Sequence, residues 1–243
     1  MKTKPVKSSP AKDIRSQLLP KGSKFCIAPS ILSADFATLK DDIGKTVKAG
    51  SRMIHLDIMD GHFVPNLTFG APLVKCVQKH FPKLFLDAHL MVENPLGYLE
   101  DFTKAGVHLV TIHSEAVPNV KRAVRLIHAA GLFAGISIKP KTSIGVLEPI
   151  LNELDLILIM SVEPGFGGQK LIPTTLNKVR ELRLLRDKKG YPFVIEIDGG
   201  IDTKTAPLAM SAGAEVFVAG SAVFREGKII QNFRALERSL ENA

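Results

Sequence analysis

The sequence predicts a single-domain α/β protein, a (β/α)8 barrel in which eight parallel strands alternate with helices. The length of 243 residues is typical of one such barrel. Eight short apolar runs recur from residue 25 onward, with amphipathic segments between them. The runs are almost continuously hydrophobic, as expected for strands buried on both faces of a parallel sheet. An open doubly wound sheet is the alternative, but it usually has fewer strands and a Gly-rich loop after the first strand, which this chain lacks.

The predicted strands follow one another at similar spacing along the chain. They cover residues 25–30, 52–59, 84–90, 107–113, 132–138, 154–160, 193–198 and 215–219. Four of the amphipathic segments end in Ala-Gly, at Gly50, Gly106, Gly131 and Gly213. A glycine just past the last helical turn accepts the left-handed backbone conformation without steric cost. Each of these glycines is followed directly by the next predicted strand, as expected where helices end in repeated strand-helix units.

Residues 1–24 differ in composition from the rest of the chain. They carry a net charge of +6, out of +8 for the whole chain, and they are rich in Lys, Ser and Pro. They contain no apolar segment of the kind that a secretory signal requires. We therefore predict a disordered basic extension over 1–24, followed by one catalytic domain over 25–243, and we expect a chain that begins near Gly22 to fold. A cytoplasmic location is expected, with a plastid location as the alternative if the extension is a transit-peptide remnant.

The composition argues against two classes of protein. No apolar run approaches the 18 residues that suggest a membrane span. Residues 25–243 carry a net charge of only +2, and the chain has no Trp and two Tyr, so little is available for stacking on bases. We therefore expect neither a membrane nor a nucleic acid as a partner. The two cysteines, Cys26 and Cys76, lack metal-type spacing and are predicted to be buried small hydrophobic side chains in a reducing compartment.

Polar residues interrupt three of the apolar runs at positions that suggest a metal site. His55 and Asp57 lie two residues apart on one predicted strand, so their side chains point to the same face. His89 and Asp198 lie near the ends of two further strands. Unpaired charge inside a core destabilises the folded protein, so we expect these four groups to bind a divalent cation. Two imidazoles and two carboxylates suit zinc, manganese, iron or cobalt. His113 lies at another strand end, but it has no evident carboxylate partner and is predicted to be structural.

Glycine-rich loops follow the last three predicted strands. They contain Gly165, Gly167 and Gly168, then Gly199 and Gly200, and finally Gly220 with Ser221. Glycines let backbone N–H groups approach a phosphate closely, and loops after strands seven and eight form the usual phosphate site of this architecture. The substrate should therefore carry a phosphate. Met59, Met91 and Met160 also lie at strand ends, where they either fill the core or surround a charged intermediate with a water-poor ring.

Six motifs together resemble the ribulose-phosphate 3-epimerase family. They run in family order from residue 26 to about 224, and they are Ala28-Pro-Ser-Ile-Leu-Ser-Ala-Asp35, His55-Leu-Asp-Ile-Met-Asp-Gly-His-Phe-Val-Pro-Asn66, Asp87-Ala-His-Leu-Met-Val92, Met160-Ser-Val-Glu-Pro-Gly-Phe-Gly-Gly-Gln169, Glu196-Ile-Asp-Gly-Gly200 and Val218-Ala-Gly-Ser221. The extension over 1–24 has no counterpart in the family core. The resemblance implies a TIM barrel of the ribulose-phosphate-binding type. It also implies a metal-dependent enzyme of the pentose-phosphate pathway or Calvin cycle that interconverts D-ribulose 5-phosphate and D-xylulose 5-phosphate.

The resemblance also implies roles for individual residues. One divalent ion (Zn, Fe, Mn or Co) per subunit would be held by His55, Asp57, His89 and Asp198, and both aspartates would act in proton transfer. Substrate contacts would come from Ser30, His55, His89, Gly165, Phe166, Gly167, Gly168, Asp198, Gly199, Gly200, Gly220 and Ser221. The enediolate would be shielded by Met59, Met91 and Met160. A homo-oligomer, either a dimer or a hexamer, is expected.

Other functions remain open on the sequence alone. An epimerase of a six-carbon ketose phosphate, such as allulose 6-phosphate, would keep every motif and differ only in the length of its pocket. A metal-free phosphate-binding barrel without catalysis, or a basic nucleic-acid-binding protein, would hold no tight metal. Assays of both ketose phosphates and a metal analysis distinguish these possibilities.

Overall fold

The computed structural model describes residues 13–19 and 22–243, and it contains the predicted barrel. Its strands are β1 Cys26–Pro29, β2 Met53–Met59, β3 Phe85–Met91, β4 Leu109–His113, β5 Phe133–Ile138, β6 Leu156–Met160, β7 Val194–Asp198 and β8 Val216–Ala219. All pairs are parallel, in the order β1-β8-β7-β6-β5-β4-β3-β2. A parallel bridge between Ser30 and His55 joins β1 to β2, so the sheet closes on itself. Each predicted run overlaps one strand, and the (β/α)8 prediction is confirmed.

Helices cover the outside of the barrel and follow most of the strands. They are α1 Ile14–Leu18, α2 Leu39–Ala49, α3 Ala71–His80, α4 Leu99–Ala105, α5 Val120–Ala129, α6 Leu176–Lys189, α7 Thr205–Ala212, α8 Ser221–Phe224 and α9 Ile229–Glu241. None of these described helices has both the length and the apolar composition needed to cross a bilayer. The predicted helix ends are confirmed at Gly50 and Gly213, whose φ angles of 115° and 119° are left-handed.

One connection differs from the predicted strand-helix repeat. Between β5 and β6 the chain forms a 3₁₀ segment, Ile144–Glu153, in place of an α-helix. Pro149 lies inside this segment. Because proline lacks an N–H and its ring clashes with the preceding turn, a regular α-helix cannot pass through this position at low cost. The segment still buries Leu147 and Ile150, so it covers the barrel as a helix would.

Alternate side chains on the strands fill the interior of the barrel in layers. The lowest layer is apolar and contains Cys26, Met53, Phe85, Leu109, Leu156, Val194 and Val216. Polar side chains that are also buried occupy the layers above it, namely His55, Asp57, Asp87, His89, Thr111, His113 and Glu196. The apolar floor therefore lies beneath a polar interior, and a cavity leads into this interior from the carboxyl ends of the strands, where active sites of this fold lie.

The amino-terminal segment differs from the predicted disordered extension. Residues 13–19 contain α1, and the side chains of Ile14 and Leu18 in α1 and of Leu19 just after it join the apolar floor of the barrel. Arg15 pairs with the Glu215 carboxylate at the start of β8. The prediction of disorder is therefore wrong for residues 13–19, because Ile14 and Leu18 are spaced four apart and bury one face of a helical turn. For residues 1–12, 20 and 21 the prediction lies outside the described part of the chain.

Candidate active site

A cavity opens at the carboxyl ends of the strands and collects most of the residues that the sequence predicted. It lies between the ends of β1 to β3 on one side and the loops after β6, β7 and β8 on the other. The predicted residues that line it are Ser30, Asp57, Met59, Met91, Met160, Gly165, Phe166, Gly167, Gly168, Asp198, Gly199, Gly200, Gly220 and Ser221. The two predicted imidazoles, His55 and His89, are fully buried and do not line the cavity. They lie beneath its floor, in contact with Asp57.

Four of the predicted groups form a compact cluster at the base of the cavity. His55 and Asp57 project from β2, His89 from β3 and Asp198 from the end of β7, and one ligand atom of each lies within 4.8 Å of the others. His55 Nε2 is 3.3 Å from His89 Nδ1, and each of these nitrogens is 3.4 Å from Asp57 Oδ1. The two nitrogens and one oxygen therefore form a nearly equilateral triangle.

The dimensions and chemistry of this triangle fit a divalent cation. Ligand atoms at about 2.0–2.1 Å from a tetrahedral zinc ion are about 3.3 Å apart, which is close to the separations in the cluster. Imidazole nitrogen and carboxylate oxygen are also ligands that suit zinc, iron, manganese and cobalt. The residues present therefore fit the group that the sequence predicted, without determining which metal is bound.

Buried neighbours set the orientation of His55. Its Nδ1 lies 2.6 Å from Asp87 Oδ2, and Nδ1–H donates to that carboxylate, which leaves the Nε2 lone pair directed at the cluster. Burial alone would lower the pKa of His55, but the Asp87 and Asp57 carboxylates outweigh it and raise the pKa well above its ordinary value. The raised pKa means that His55 holds a second proton when no cation is present. A cation at the cluster would compete with that proton for the Asp57 and Asp87 carboxylates.

The two candidate catalytic carboxyl groups have opposite proton affinities. Burial raises the pKa of Asp198 to about 7, and the Asp57 and Asp87 charges add to this effect. Burial acts in the same direction at Asp57, but His55 and His89 outweigh it, so that the pKa of Asp57 falls below its ordinary value. Asp57 is thus ionised at neutral pH, whereas Asp198 holds its proton until close to neutral pH, and this separation of pKa values is the pattern expected of an acid-base pair.

Ser30 contacts one of these carboxylates. The Ser30 hydroxyl donates to Asp57 Oδ2 over 2.5 Å, and it also accepts a hydrogen bond from the backbone N–H of Leu32. Ser30 directly follows β1 and is joined by the parallel bridge to His55. The sequence predicted this residue as a substrate contact, and the structure brings it to the cavity wall as a partner of Asp57. The hydroxyl therefore holds one oxygen of Asp57 and leaves Oδ1 directed at the imidazoles.

Several buried polar residues beneath the cluster were not predicted to belong to the site. Asp87 accepts from Thr111 Oγ1 over 3.2 Å in addition to its contact with His55. Both carboxylate oxygens of Glu196 are buried without a hydrogen-bond partner among the described residues, and burial next to Asp87 raises its pKa to about 8. Each residue lies two positions before a predicted ligand, on β3 and β7 respectively. The two-residue strand period, which identified His55 with Asp57, was the signal that could have identified them.

His113, which the sequence predicted to be structural, lies in this polar interior and contacts one of the predicted ligands. Its Nε2 lies 2.9 Å from His89 Nε2, and its ring packs on Phe63 with centroids 4.8 Å apart. Its Nδ1 lies 3.4 Å from the Glu115 carboxylate. Burial lowers the pKa of His113 to about 4 despite this carboxylate, so the ring is neutral at physiological pH. The missed partner, Glu115, is two residues further along the chain.

The glycine-rich loops form the other wall of the cavity. A side chain at Gly200 would place its Cβ 2.2 Å from the backbone nitrogen of Leu171, so the loop after β7 packs directly against the loop after β6. A Cβ at Gly220 would lie 2.5 Å from the hydroxyl of Ser33, a cavity residue that the sequence did not predict. Glycines in such a wall leave room for an anion such as phosphate to approach the backbone closely.

The three predicted methionines lie at the mouth of the barrel. Met59, Met91 and Met160 are each at most 3% exposed, and all three line the cavity. Met59 and Met91 are register partners on β2 and β3, and they pack with Val64 in a small apolar cluster. Met59 and Met91 therefore give the cavity an apolar, polarizable side opposite the glycine loops, and Met160 lies at the end of β6 next to those loops.

This fold and site define a class of proteins: (β/α)8 barrels that combine a candidate metal cluster with a glycine-lined anion pocket. A sequence model of the ribulose-phosphate 3-epimerase family matches residues 26–224. The chain is 47% identical over 199 residues to the ribulose-phosphate 3-epimerase of Bacillus subtilis, covering 82% of this chain and 91% of that protein. It is 44% identical over 222 residues to the cytoplasmic isoform of rice, covering 89% and 95% of the two chains. The chain belongs to the ribulose-phosphate 3-epimerase family.

Solved structures of other phosphosugar proteins share the fold at low sequence identity. The 3-hexulose-6-phosphate synthase of Salmonella typhimurium matches with a TM-score of 0.68 at 16% identity, covering 90% of this chain and 99% of that one. The 3-keto-L-gulonate-6-phosphate decarboxylase of Vibrio cholerae matches with a TM-score of 0.67 at 14% identity, covering 90% and 98%. These similarities support the barrel and nothing finer.

Proposed function

We propose that this protein is a ribulose-phosphate 3-epimerase that interconverts D-ribulose 5-phosphate and D-xylulose 5-phosphate. Membership of the family supports the activity. The proposed chemistry is supported by one observation: Asp57 and Asp198 line the same cavity, and the pKa is lowered at Asp57 and raised at Asp198. Inversion at a carbon next to a ketone requires the removal of one proton and the return of another to the opposite face, and such a pair supplies both steps.

The substrate phosphate binds in the pocket of the glycine loops. Gly167, Gly168, Gly200, Gly220 and Ser221 line this pocket, and their backbone N–H groups and the Ser221 hydroxyl would bind the phosphate oxygens. The five-carbon chain then extends across the cavity toward Asp57. In this proposal the reacting carbon lies between the ends of β2 and β7, the strands that carry Asp57 and Asp198.

The two aspartates exchange roles with the direction of the reaction. The ionised carboxylate removes the proton from carbon 3 on one face, and the protonated carboxyl group donates a proton on the other face. Each transfer contributes about 10²–10⁴-fold to the rate. Ser30 holds Asp57 Oδ2, so the base keeps one orientation during the transfer. Because the sites interact, the two carboxyl groups titrate as a pair.

His55, Asp57, His89 and Asp198 would hold one divalent cation of the zinc, iron, manganese or cobalt type. When bound, such a cation acts as a Lewis acid toward the negative charge of the enediolate intermediate. Met59, Met91 and Met160 form an apolar wall that keeps water away from that charge. Exclusion of water strengthens the electrostatic stabilisation within the site.

We also propose a cytoplasmic homo-oligomer that acts in pentose phosphate metabolism. The cytoplasmic isoform of rice, which is 44% identical, supports the location. A dimer and a hexamer are both compatible with the proposed chemistry, since all the proposed site residues come from one chain. Sedimentation of the purified protein measures the state directly.

The test is to incubate the purified protein with D-ribulose 5-phosphate in deuterated water and to follow the products by NMR. We expect D-xylulose 5-phosphate labelled at carbon 3, activity that is lost after chelation, and recovery when one metal equivalent is added. Allulose 6-phosphate serves as the comparison substrate. Preferential turnover of the six-carbon sugar would replace the proposed substrate, and full activity without any metal would exclude the proposed metal site.

The Asp57→Asn and Asp198→Asn variants test the division of roles. Asparagine keeps the shape of the side chain but cannot carry a proton, so we expect epimerisation to fall by about 10³-fold or more in each variant. Metal-loaded variants should exchange the carbon-bound proton of different epimers with solvent. If both variants exchange the same epimer at equal rates, a single base serves both directions. Metal content is measured for each sample, because both residues are also candidate ligands.

A further inference from the structure

A buried chain of polar contacts runs from the candidate metal cluster to the surface at the ends of β4 and β5. It begins at His89, whose Nδ1 faces Asp57 Oδ1 at 3.4 Å. The other nitrogen, Nε2, lies 2.9 Å from His113 Nε2. On the far side of its ring, His113 Nδ1 lies 3.4 Å from Glu115 Oε2. Both imidazoles are fully buried, whereas the side chain of Glu115 is 23% exposed.

The position of one proton determines whether His89 can bind a cation. A neutral imidazole carries one N–H donor and one lone pair. If Nδ1 is to face a cation, the proton of His89 must be on Nε2. His113 Nε2 must then accept that N–H, so the proton of His113 must be on Nδ1. Nδ1 is the atom that lies 3.4 Å from the Glu115 carboxylate. It makes no regular hydrogen bond with any described residue, so this carboxylate is the acceptor that its N–H can reach.

Glu115 is held in place by the loop that follows β5. Its Oε1 accepts a hydrogen bond from the backbone N–H of Lys139 over 2.9 Å and another from the Thr142 hydroxyl. Lys178 in α6 supports this loop, because its ammonium group donates to the carbonyl oxygens of Lys139, Pro140 and Thr142 at 3.0, 2.7 and 2.6 Å. The carboxylate therefore occupies one defined position next to His113.

Packing also restrains the ring of His113. Phe63 lies on it with a centroid distance of 4.8 Å, and the ammonium group of Lys139 lies 4.1 Å from the centroid of the Phe63 ring. The imidazole is thus confined between Phe63 and His89, whose ring centroid is 5.0 Å away. A confined ring keeps Nε2 directed at His89, so its acceptor lone pair is available only there.

We propose that His113 and Glu115 are positioning residues that keep the proton of His89 on Nε2 and its Nδ1 lone pair free for the cation. This inference rests on the proposed metal-dependent function. For His55 the proton position is set directly by the Asp87 carboxylate, at 2.6 Å from Nδ1. For His89 it is set through an intervening imidazole. The two metal-facing imidazoles are therefore oriented by two carboxylates, Asp87 buried on β3 and Glu115 near the surface in the turn that follows β4.

The test measures cobalt(II) affinity of the full-length, metal-stripped protein by visible absorption against a competing chelator. His113→Phe keeps an aromatic ring under Phe63 but removes the acceptor, and removal of such partners typically weakens metal binding about 10- to 100-fold. His113→Gln, whose carbonyl oxygen can accept from His89, should recover part of the loss. Glu115→Gln should weaken binding as well, and in combination with His113→Phe it should add little.

A second readout follows the proton itself. Long-range nitrogen-proton NMR of the metal-free protein distinguishes the two tautomers of His89. We expect the Nε2–H form in the unmodified chain and a shift toward the Nδ1–H form in His113→Phe and Glu115→Gln. The matched control is His128→Phe, which removes a His-carboxylate contact of 2.7 Å to Asp155 outside the barrel and should change neither readout.

The outcomes separate this inference from the proposed function. If the unmodified protein fails to bind cobalt(II), the proposed metal site is wrong. If it binds, and both His113→Phe and Glu115→Gln bind with unchanged affinity and an unchanged His89 tautomer, the positioning role is wrong. Should His113→Phe not fold, Glu115→Gln decides the question alone, because its substitution lies near the surface and leaves both imidazoles in place.

Discussion

Replacement of Asp198 and Asp57 by asparagine should change the stability of the metal-free protein in opposite directions. Asp198 has a pKa of about 7 in the folded chain, against an ordinary value of 3.8. Its neutral form is therefore favoured by folding, so stability falls as the pH rises from about 4 to about 7 and stays low above that. An asparagine side chain at this position would resemble the neutral form at every pH. We expect Asp198→Asn to stabilise the chelated protein at pH 8.

The size of this effect follows from the two pKa values. A difference of about 3 pKa units corresponds to about 4 kcal/mol at full strength. Asp198 is partly exposed at the end of β7, so solvent screening reduces the expected gain to about 2 kcal/mol. For a chain of this length that is an increase in melting temperature of about 4–8 °C. The gain should shrink as the pH is lowered toward 4, where the aspartate of the unmodified chain is also protonated.

Asp57→Asn should act in the other direction. The pKa of Asp57 is lowered in the folded chain because His55 and His89 outweigh its burial. A lowered carboxyl pKa contributes stability at pH values above the unfolded-state pKa, and this contribution is lost as the pH falls. At pH 8 the asparagine variant loses that contribution and leaves the two imidazoles without their shared carboxylate. We expect a lower melting temperature than that of the unmodified chelated protein.

The assay is thermal unfolding of chelated protein, monitored by circular dichroism between pH 4 and pH 8. Asp202→Asn is the matched control, since Asp202 lies four residues away from Asp198 in a capping position outside the cavity. With metal restored, both site variants should be less stable than the unmodified protein, because each loses a ligand. If Asp198→Asn lowers the melting temperature of chelated protein at pH 8, the opposed protonation of the pair is refuted.

Three further outcomes are expected. Leu18→Ala should lower the free energy of unfolding by about 2 kcal/mol, because α1 buries this side chain under the barrel. Denaturant titration measures this, and an unchanged denaturation midpoint would support the expectation that residues before Gly22 are dispensable. Gly200→Ala should raise the KM for the phosphosugar at least about tenfold, because the added Cβ would collide with the loop after β6 and the φ of +64° is left-handed. An unchanged KM would show that the loop after β7 does not contribute to the phosphate site. A thiol reagent at pH 8 should modify the exposed Cys76 alone, because burial raises the pKa of Cys26 to about 12; rapid labelling of both would contradict the buried floor.

The strands and the main cluster were predictable because both depend on short-range periodicity. Near-continuous apolar runs identified all eight strands. The two-residue period placed His55 and Asp57 on one face, and the barrel topology then brought His89 and Asp198 to the same end. The same period applied to β3 and β7 would also have placed Asp87 and Glu196 in the interior. That step was missed because those residues lie one layer deeper, where no ligand was expected.

Other features depend on contacts between distant segments and were not predictable from local pattern. The docking of α1 depends on an apolar floor assembled from the starts of several strands, and a five-residue helix gives little periodic signal. The contact of His113 with His89 depends on the register of β3 and β4. Ser33 approaches Gly220 only because the barrel closes. In each case the partner is defined by the closed fold and not by the neighbouring sequence.

Closure of the barrel also constrains how the chain can be made. Cys26 in β1 pairs with Val216 in β8, and Arg15 pairs with Glu215, two hundred positions later. During synthesis from the amino terminus, the edge of β1 that pairs with β8 therefore stays unpaired until nearly the whole chain has left the ribosome. Such long-range pairing slows folding and leaves a hydrophobic strand edge exposed to other nascent chains. The apolar side chains of α1 can be buried only once the starts of those strands have come together, so this early segment also depends on the late part of the chain.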